Sequence, residues 1–316
     1  MPCPCTKTSC QFHGNCKACR QNHLSKKHPP MCERLKAEQQ ASTLQHKEYA
    51  TPQGTIHYWH RHNNDGPTLV FLPGWASDHR LFNPQLEHFG LRHNCLVWDA
   101  PAHGLSRPFP LTFSLEDMAR WLHVILATEQ ITQPILIGHA QGGAVAQMFL
   151  SLFPNEPVAF IAIGSVPLRS STTSAFSLWL LRHTGWRLRL LPWKRMRRLV
   201  ARRHAATQQG RKLMRKMLKD YRPSEYSTLS TYGRQLLNDA SPTQAPIPCP
   251  CLLMYGDKDR IGNTKTDNNL WAYREGHSIK IVANAGHNAN ADNPHQANRL
   301  IKDWLQNGQS QLKIEN

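Results

Sequence analysis

No stretch of this chain approaches the ~18 consecutive apolar residues that a membrane-spanning helix needs. The first ten residues, MPCPCTKTSC, lack the apolar core of a secretory signal. These two absences point to a cytoplasmic protein. In that reducing setting the nine cysteines read as thiols or metal ligands rather than disulfides. Glycine (18) and proline (22) are too few and too scattered for a collagen-like or low-complexity chain of 316 residues. Acidic residues are also scarce: 21 Asp and Glu face 38 Lys and Arg, a formal charge of +17. The excess is local. Residues 182–222 hold fifteen Lys or Arg against one acid, Asp220, and residues 1–36 hold seven against Glu33. The remainder is slightly acidic, so an ordinary domain carries two basic pieces. With 40 % hydrophobic and 19 % charged residues, wholesale disorder is excluded.

What is present alternates in period. TLVFLP (68–73), NCLVWDA (94–100), PILIGH (134–139), VAFIAIG (158–164), CLLMYG (251–256) and SIKIVA (278–283) are short, nearly continuous apolar runs, as buried parallel strands should be. Helical stretches lie between them. Ser114, with Asp117 three residues on, predicts a capping box that opens a helix through about Glu129. QGGAVAQMFLSLF (141–153), TDNNLWAYREG (266–276) and HQANRLIKDWLQ (295–306) supply others. Strand and helix in alternation predict an α/β fold with a mostly parallel, doubly wound sheet. HYWHRH (57–62) hints at metal, but on a strand His57 and His60 face opposite sides, so it reads as an exposed early strand.

The chemistry concentrates in ILIGHAQGG. A strand runs into Gly138-His139-Ala140-Gln141-Gly142 and then a helix, the context of a nucleophile elbow, G-x-S-x-G. The central position projects above the sheet beside a helix N-terminus, and here Ala140 fills it. Four further stretches accompany it: LVFLPGWASDHRLF (69–82), LVWDAPAHGLSRP (96–108), YGDKDRIG (255–262) and NAGHNANADNP (284–294). In this order, each at a strand end, they resemble the oxyanion loop, the D-x-P-x-x-G-x-S loop, the acid turn and the histidine loop of the α/β-hydrolase superfamily.

That resemblance implies an α/β-hydrolase fold with an inserted helical cap. The core divides into residues 55–168 and 247–312, the basic cap spans 169–246, and 37–54 is a linker after a Cys-rich appendage (1–36). It implies His287 as general base and Asp259 as the acid that orients it, with Asp257 the alternative. The backbone N–H groups of Trp75 and Gln141 would form the oxyanion hole. Ala140 stands at the serine's place. His139, Trp179 and Trp186 are candidate substrate contacts. The implied reaction is cleavage of a carboxylic ester, thioester or lactone, with no catalytic cofactor.

Ala140 admits three readings. The surviving Asp259, His287 and glycines favour a Ser→Ala exchange made to inactivate an otherwise whole site. A natural binding pseudoenzyme is one alternative. The other is a cofactor-free dioxygenase of the same fold, whose start PGWASDHRLF resembles and which needs only a His–Asp dyad. The cap's charge suits an anionic or carrier-bound acyl substrate, or peripheral contact with a membrane surface. Nucleic acid is disfavoured, because no binding motif accompanies the charge. In the N-terminal piece, Cys10, Cys16, Cys19 and Cys32 are candidate ligands of a structural zinc, with Cys16-Lys17-Ala18-Cys19 forming a C-x-x-C. The segment resembles small cysteine-rich bacterial modules.

Overall fold

The computed structural model describes residues 9–25, 30, 43–168, 192–240 and 246–312. Eight strands form one sheet: β1 (Gln45–Thr51), β2 (Gly54–Arg61), β3 (Thr68–Leu72), β4 (Asn94–Trp98), β5 (Pro134–His139), β6 (Ala159–Ile163), β7 (Cys251–Gly256) and β8 (Ser278–Val282). Their order is β1-β2-β4-β3-β5-β6-β7-β8. The β1/β2 and β2/β4 pairs are antiparallel, and every later pair is parallel. β3, β4, β5, β6 and β7 are buried along their whole length, which explains their unbroken apolar runs.

The helices are α1 (Cys16–Ser25), α2 (Asn83–Phe89), α3 (Leu115–Thr128), α4 (Gln141–Leu152), α5 (Trp193–His204), α6 (Gln208–Lys219), α7 (Pro223–Asp239), α8 (Thr264–Glu275), α9 (Ala289–Asp292) and α10 (Pro294–Leu312). The capping box forms as its sequence predicts. Ser114 Oγ accepts from Asp117 N at 3.0 Å, and Ser114 N donates to Asp117 Oδ2 at 2.8 Å. α3 and α4 cover one face of the sheet with Met118, Leu122, Ile125, Val145 and Phe149. The other face is covered from α2 and α10 by residues such as Leu86, Phe89, Ala297 and Ile301. No helix among the described residues is long and apolar enough to cross a membrane.

One expectation fails. Residues 45–51 belong to the sheet, not to a linker over 37–54. β1 pairs with β2 from Gln45 opposite His60 to Thr51 opposite Gly54. Its sequence, QHKEYAT, is polar on both faces and largely exposed, so no apolar period betrays it. The backbone ladder and the turn define it instead: Thr51 Oγ1 accepts from Gln53 N and Gly54 N at 3.1 and 3.0 Å. In the expected cap region, residues 192–240 form three helices, α5 to α7, and no strand.

Candidate active site

β5 ends at His139, and α4 begins at Gln141. Ala140 lies between them with φ +47° and ψ −112°. That left-handed conformation is strained for a residue with a Cβ and costs on the order of 1–3 kcal/mol. It is held from several sides. Ala140 N donates to Ile163 O of β6 at 2.9 Å, and Ser165 Oγ donates to Ala140 O at 2.9 Å. Glycine at 138 is required by packing, since a Cβ there would lie 2.4 Å from Gly143 Cα. Ser165 thus supports the elbow's carbonyl.

The loop after β3 passes directly over this elbow. A Cβ on Gly74 would lie 2.5 Å from His139 Nδ1 and 3.1 Å from Ala140 Cβ. Trp75 follows Gly74. Gln141, on the other side, opens α4, so its N–H has no intrahelical acceptor. Neither Trp75 N nor Gln141 N donates to a backbone carbonyl among the described residues. Two unengaged N–H groups thus flank the position of Ala140, one of them at the positive end of a helix dipole.

His287 arrives on the loop after β8. Its Nδ1 and Asp259 Oδ2 are 2.9 Å apart, and both residues are buried. Burial opposes ionisation of Asp259. The hydrogen bond and charge of His287, with the N–H of Ile261 at 2.8 Å, outweigh it and hold the carboxyl below its ordinary range. Asp257, the alternative acid, faces the other way and accepts from Ala285 N at 3.0 Å. The geometry places Asp259, not Asp257, against His287.

Two more histidines surround His287. The ring of His139 is 5.1 Å from it, and His139 Nε2 lies 3.1 Å from His287 O. Burial and then His287 push His139 down to about 3, so it is a neutral polar wall beside His287. His204, at the end of α5, has its ring 5.7 Å from His287 and is pushed down to about 4 by the same two causes. His103 is fully buried beside Trp75, at 4.8 Å between rings. The cap reaches the opposite wall too: a Cβ on Gly233 of α7 would lie 2.7 Å from the Trp75 ring.

With this geometry the matches to known proteins become informative. The alpha/beta hydrolase family matches residues 69–300, which include every part of the site just described. The chain belongs to that family. Among solved structures, this hydrolase is similar to an enol-lactonase from Burkholderia xenovorans LB400, with a TM-score of 0.67 and 16 % identity over 82 % of this chain and all of that one. It is similar to a thermophilic esterase from Thermogutta terrifontis, with a TM-score of 0.66 and 19 % identity over 83 % of this chain and 98 % of that one. At such identities the likeness shows the fold. Among curated relatives, a stretch of 95 residues (30 % of this chain) is 34 % identical to the magnesium-chelatase 30 kDa subunit of Rhodobacter capsulatus. A stretch of 96 residues (29 % of this chain) is 36 % identical to a 2-succinyl-6-hydroxy-2,4-cyclohexadiene-1-carboxylate synthase of Salmonella newport. These matches span 32 % and 36 % of the relatives' own lengths, about a third.

Other sequence candidates fall elsewhere. Trp179, Trp186 and Cys32 lie outside the described residues. Cys10 and Cys19 flank and enter α1, far along the chain from the hydrolase core. The HYWHRH stretch splits as its strand period requires. His57 Nδ1 faces His46 Nε2 of β1 at 2.9 Å, while His60 turns to Glu129 at 2.7 Å on the other face. The expectation of an exposed strand fails: His60 is buried, no residue of β2 is exposed, and β2 lies inside the sheet between β1 and β4.

Sequence reasoning missed Asp292 and His204. Asp292 accepts from Gly286 N and Ala206 N at 2.7 Å, from Thr207 N at 3.0 Å and from Thr207 Oγ1 at 2.5 Å. It thereby joins the histidine loop to the hinge between α5 and α6. Neither residue has a sequence signature, because each acts across more than 80 residues of chain.

Proposed function

We propose that this hydrolase is built for acyl transfer on a carboxylic ester, thioester or lactone, and that Ala140 leaves it able to bind such a substrate without turning it over. The observation that carries this reading is the strained elbow kept beside a paired His287–Asp259. Nothing about an alanine needs φ +47° at the mouth of a helix. A nucleophilic hydroxyl does, because that geometry lifts it off the sheet toward the base and the N–H pair.

With serine at 140, the reaction follows from the parts. His287 Nε2 takes the hydroxyl proton while the oxygen attacks the acyl carbon. Asp259, on Nδ1, fixes the ring's tautomer and stabilises the imidazolium. The N–H groups of Trp75 and Gln141 receive the developing oxyanion. His287 then protonates the leaving group, and water repeats the sequence on the acyl-enzyme. Loss of the nucleophile in such triads lowers kcat by roughly 10⁶-fold, so the chain with Ala140 has no useful activity by this route.

The test is labelling by a fluorophosphonate probe. Ala140→Ser should become labelled, and adding His287→Ala should abolish the labelling. An Ala140→Ser protein that is folded and stays unlabelled refutes the reading. The intact dyad beside a non-nucleophilic residue also suits the dioxygenase reading. Oxygen consumption with a heteroaromatic substrate by the Ala140 chain itself would select that alternative.

A further inference from the structure

We infer that the outer face of α5 and α6 is a docking surface for an anionic lipid bilayer. Along α5, the exposed residues are Lys194, Arg195, Arg198, Leu199, Arg202 and Arg203. They fall at i, i+1, i+4, i+5, i+8 and i+9, a single stripe at helical spacing. Five of the six are cations and the sixth, Leu199, is 46 % exposed. On α6, Lys212, Lys216 and Lys219 are exposed at i, i+4 and i+7. The inward sides of the same helices bury Ala201, Met214, Met217 and Leu218, so the two helices are fixed with their charge outward.

The charge on this face is not consumed within the protein. Neither helix contains an acidic residue. Among the described residues no carboxylate pairs with these cations. Asp220, which follows α6, is spent on Arg80 at 2.6 Å. Holding many like charges together without partners costs self-repulsion that an ordinary solvated face avoids by mixing signs. Binding a polyanion removes that cost.

The composition decides which polyanion. A protein partner's interface would carry aromatic anchors on this face, and the exposed stripe has none. Base-specific reading of a nucleic acid would use polar readers such as Asn or Gln among the cations; α5 has neither, and α6 has them only at its start. What accompanies the cations is Leu199. A cluster of about four or more Lys and Arg on one face of an amphipathic helix, with an apolar side chain among them, is the composition that an anionic lipid surface attracts. The cap rests on Trp75 and His287, so such docking would bring the site's cover to the lipid surface.

The experiment is co-sedimentation of the full chain, with Ala140 in place, on vesicles of phosphatidylcholine alone and with 30 % phosphatidylglycerol. It reads binding only, so it is independent of any hydrolytic activity. Partitioning onto the anionic vesicles at 0.05 M salt should exceed that onto the neutral ones at least tenfold and disappear at 0.5 M salt. Each cation at an anionic surface contributes about fivefold. The exposed quadruple variant Arg195→Gln/Arg198→Gln/Arg202→Gln/Arg203→Gln should therefore bind about 10²- to 10³-fold more weakly, with its melting temperature showing an intact fold. Equal partitioning onto both vesicles, or onto neither, overturns the inference. So does an unchanged quadruple variant, which would assign the binding to the basic residues of 1–36. Tighter retention by double-stranded DNA or an acidic protein than by the anionic vesicles overturns it as well.

Discussion

Asp292 is the residue whose removal should most clearly separate the cap from the core. Its carboxylate receives three backbone N–H groups and one hydroxyl: Gly286 from the histidine loop, and Ala206 and Thr207 from the link between α5 and α6. Thr207 Oγ1 also accepts from Gly210 N at 3.1 Å, capping α6, so the same cluster sets the start of that helix. The cluster is tight: a Cβ on Gly210 would lie 2.1 Å from Asp292 Oδ1. Asp292→Ala strands three backbone donors in a mostly buried place. At about 1–3 kcal/mol for each unsatisfied group, with partial relief by entering water, the loss should be about 3–6 kcal/mol. Asp292→Asn keeps one acceptor oxygen but turns an NH₂ toward N–H groups, so it should fall between wild type and Asp292→Ala. Thr207→Ala alone should cost about 1–2 kcal/mol and add less than fully to Asp292→Ala, because the two share a partner. Urea denaturation measures the stability, and amide exchange at 206, 207 and 286 reports the local opening. An Asp292→Ala protein destabilised by less than 1 kcal/mol, with exchange at those amides unchanged, would refute this account of how the cap is held.

Three further outcomes are expected. Protein purified without chelator should carry near-stoichiometric zinc that is lost with residues 1–36; native protein free of metal, with all six N-terminal thiols alkylated, would exclude a site at Cys10, Cys16, Cys19 and Cys32. His139 and His103, pushed down to about 3 and about 4 chiefly by burial, are neutral in the fold but take up a proton on unfolding below pH 6.5. Their contribution is therefore complete above pH 6.5 and lost as pH falls, by about 2–3 kcal/mol together at pH 5.5, and a urea midpoint flat from pH 7.5 to 5.5 would contradict it. Gly74→Ala should destabilise the loop after β3 and, in the Ala140→Ser background, reduce probe labelling at least tenfold, because its Cβ would lie 2.9 Å from the His139 backbone oxygen; full labelling would show that the loop can shift freely.

The local signals were strong where a residue type has one structural use. The unbroken apolar runs marked the buried strands, with β5 and β7 matching their runs end to end, because a strand covered on both faces has no polar side to show. Ser114 and Asp117 marked a helix start because both partners of a capping box lie within one turn. Glycines on both sides of Ala140 marked the elbow because the helix must touch the strand there. By contrast, β1 was invisible: an edge strand polar on both faces is selected by the ladder it joins, not by its own side chains. The choice of Asp259 over Asp257 required the fold, since two carboxylates two residues apart look alike until the chain turns one toward His287 and the other toward Ala285. His204, Asp292 and Gly233 are ordinary residues in sequence. They acquire their positions at the site only when the cap helices fold back over the sheet, bringing together groups whose separation along the chain carries no periodic or motif signal. Side chains and backbone within a few residues of one another thus set the strands, caps and elbow. Long-range packing alone chose Asp259 as the partner of His287, the neutral histidines around them and the clasp that holds the cap.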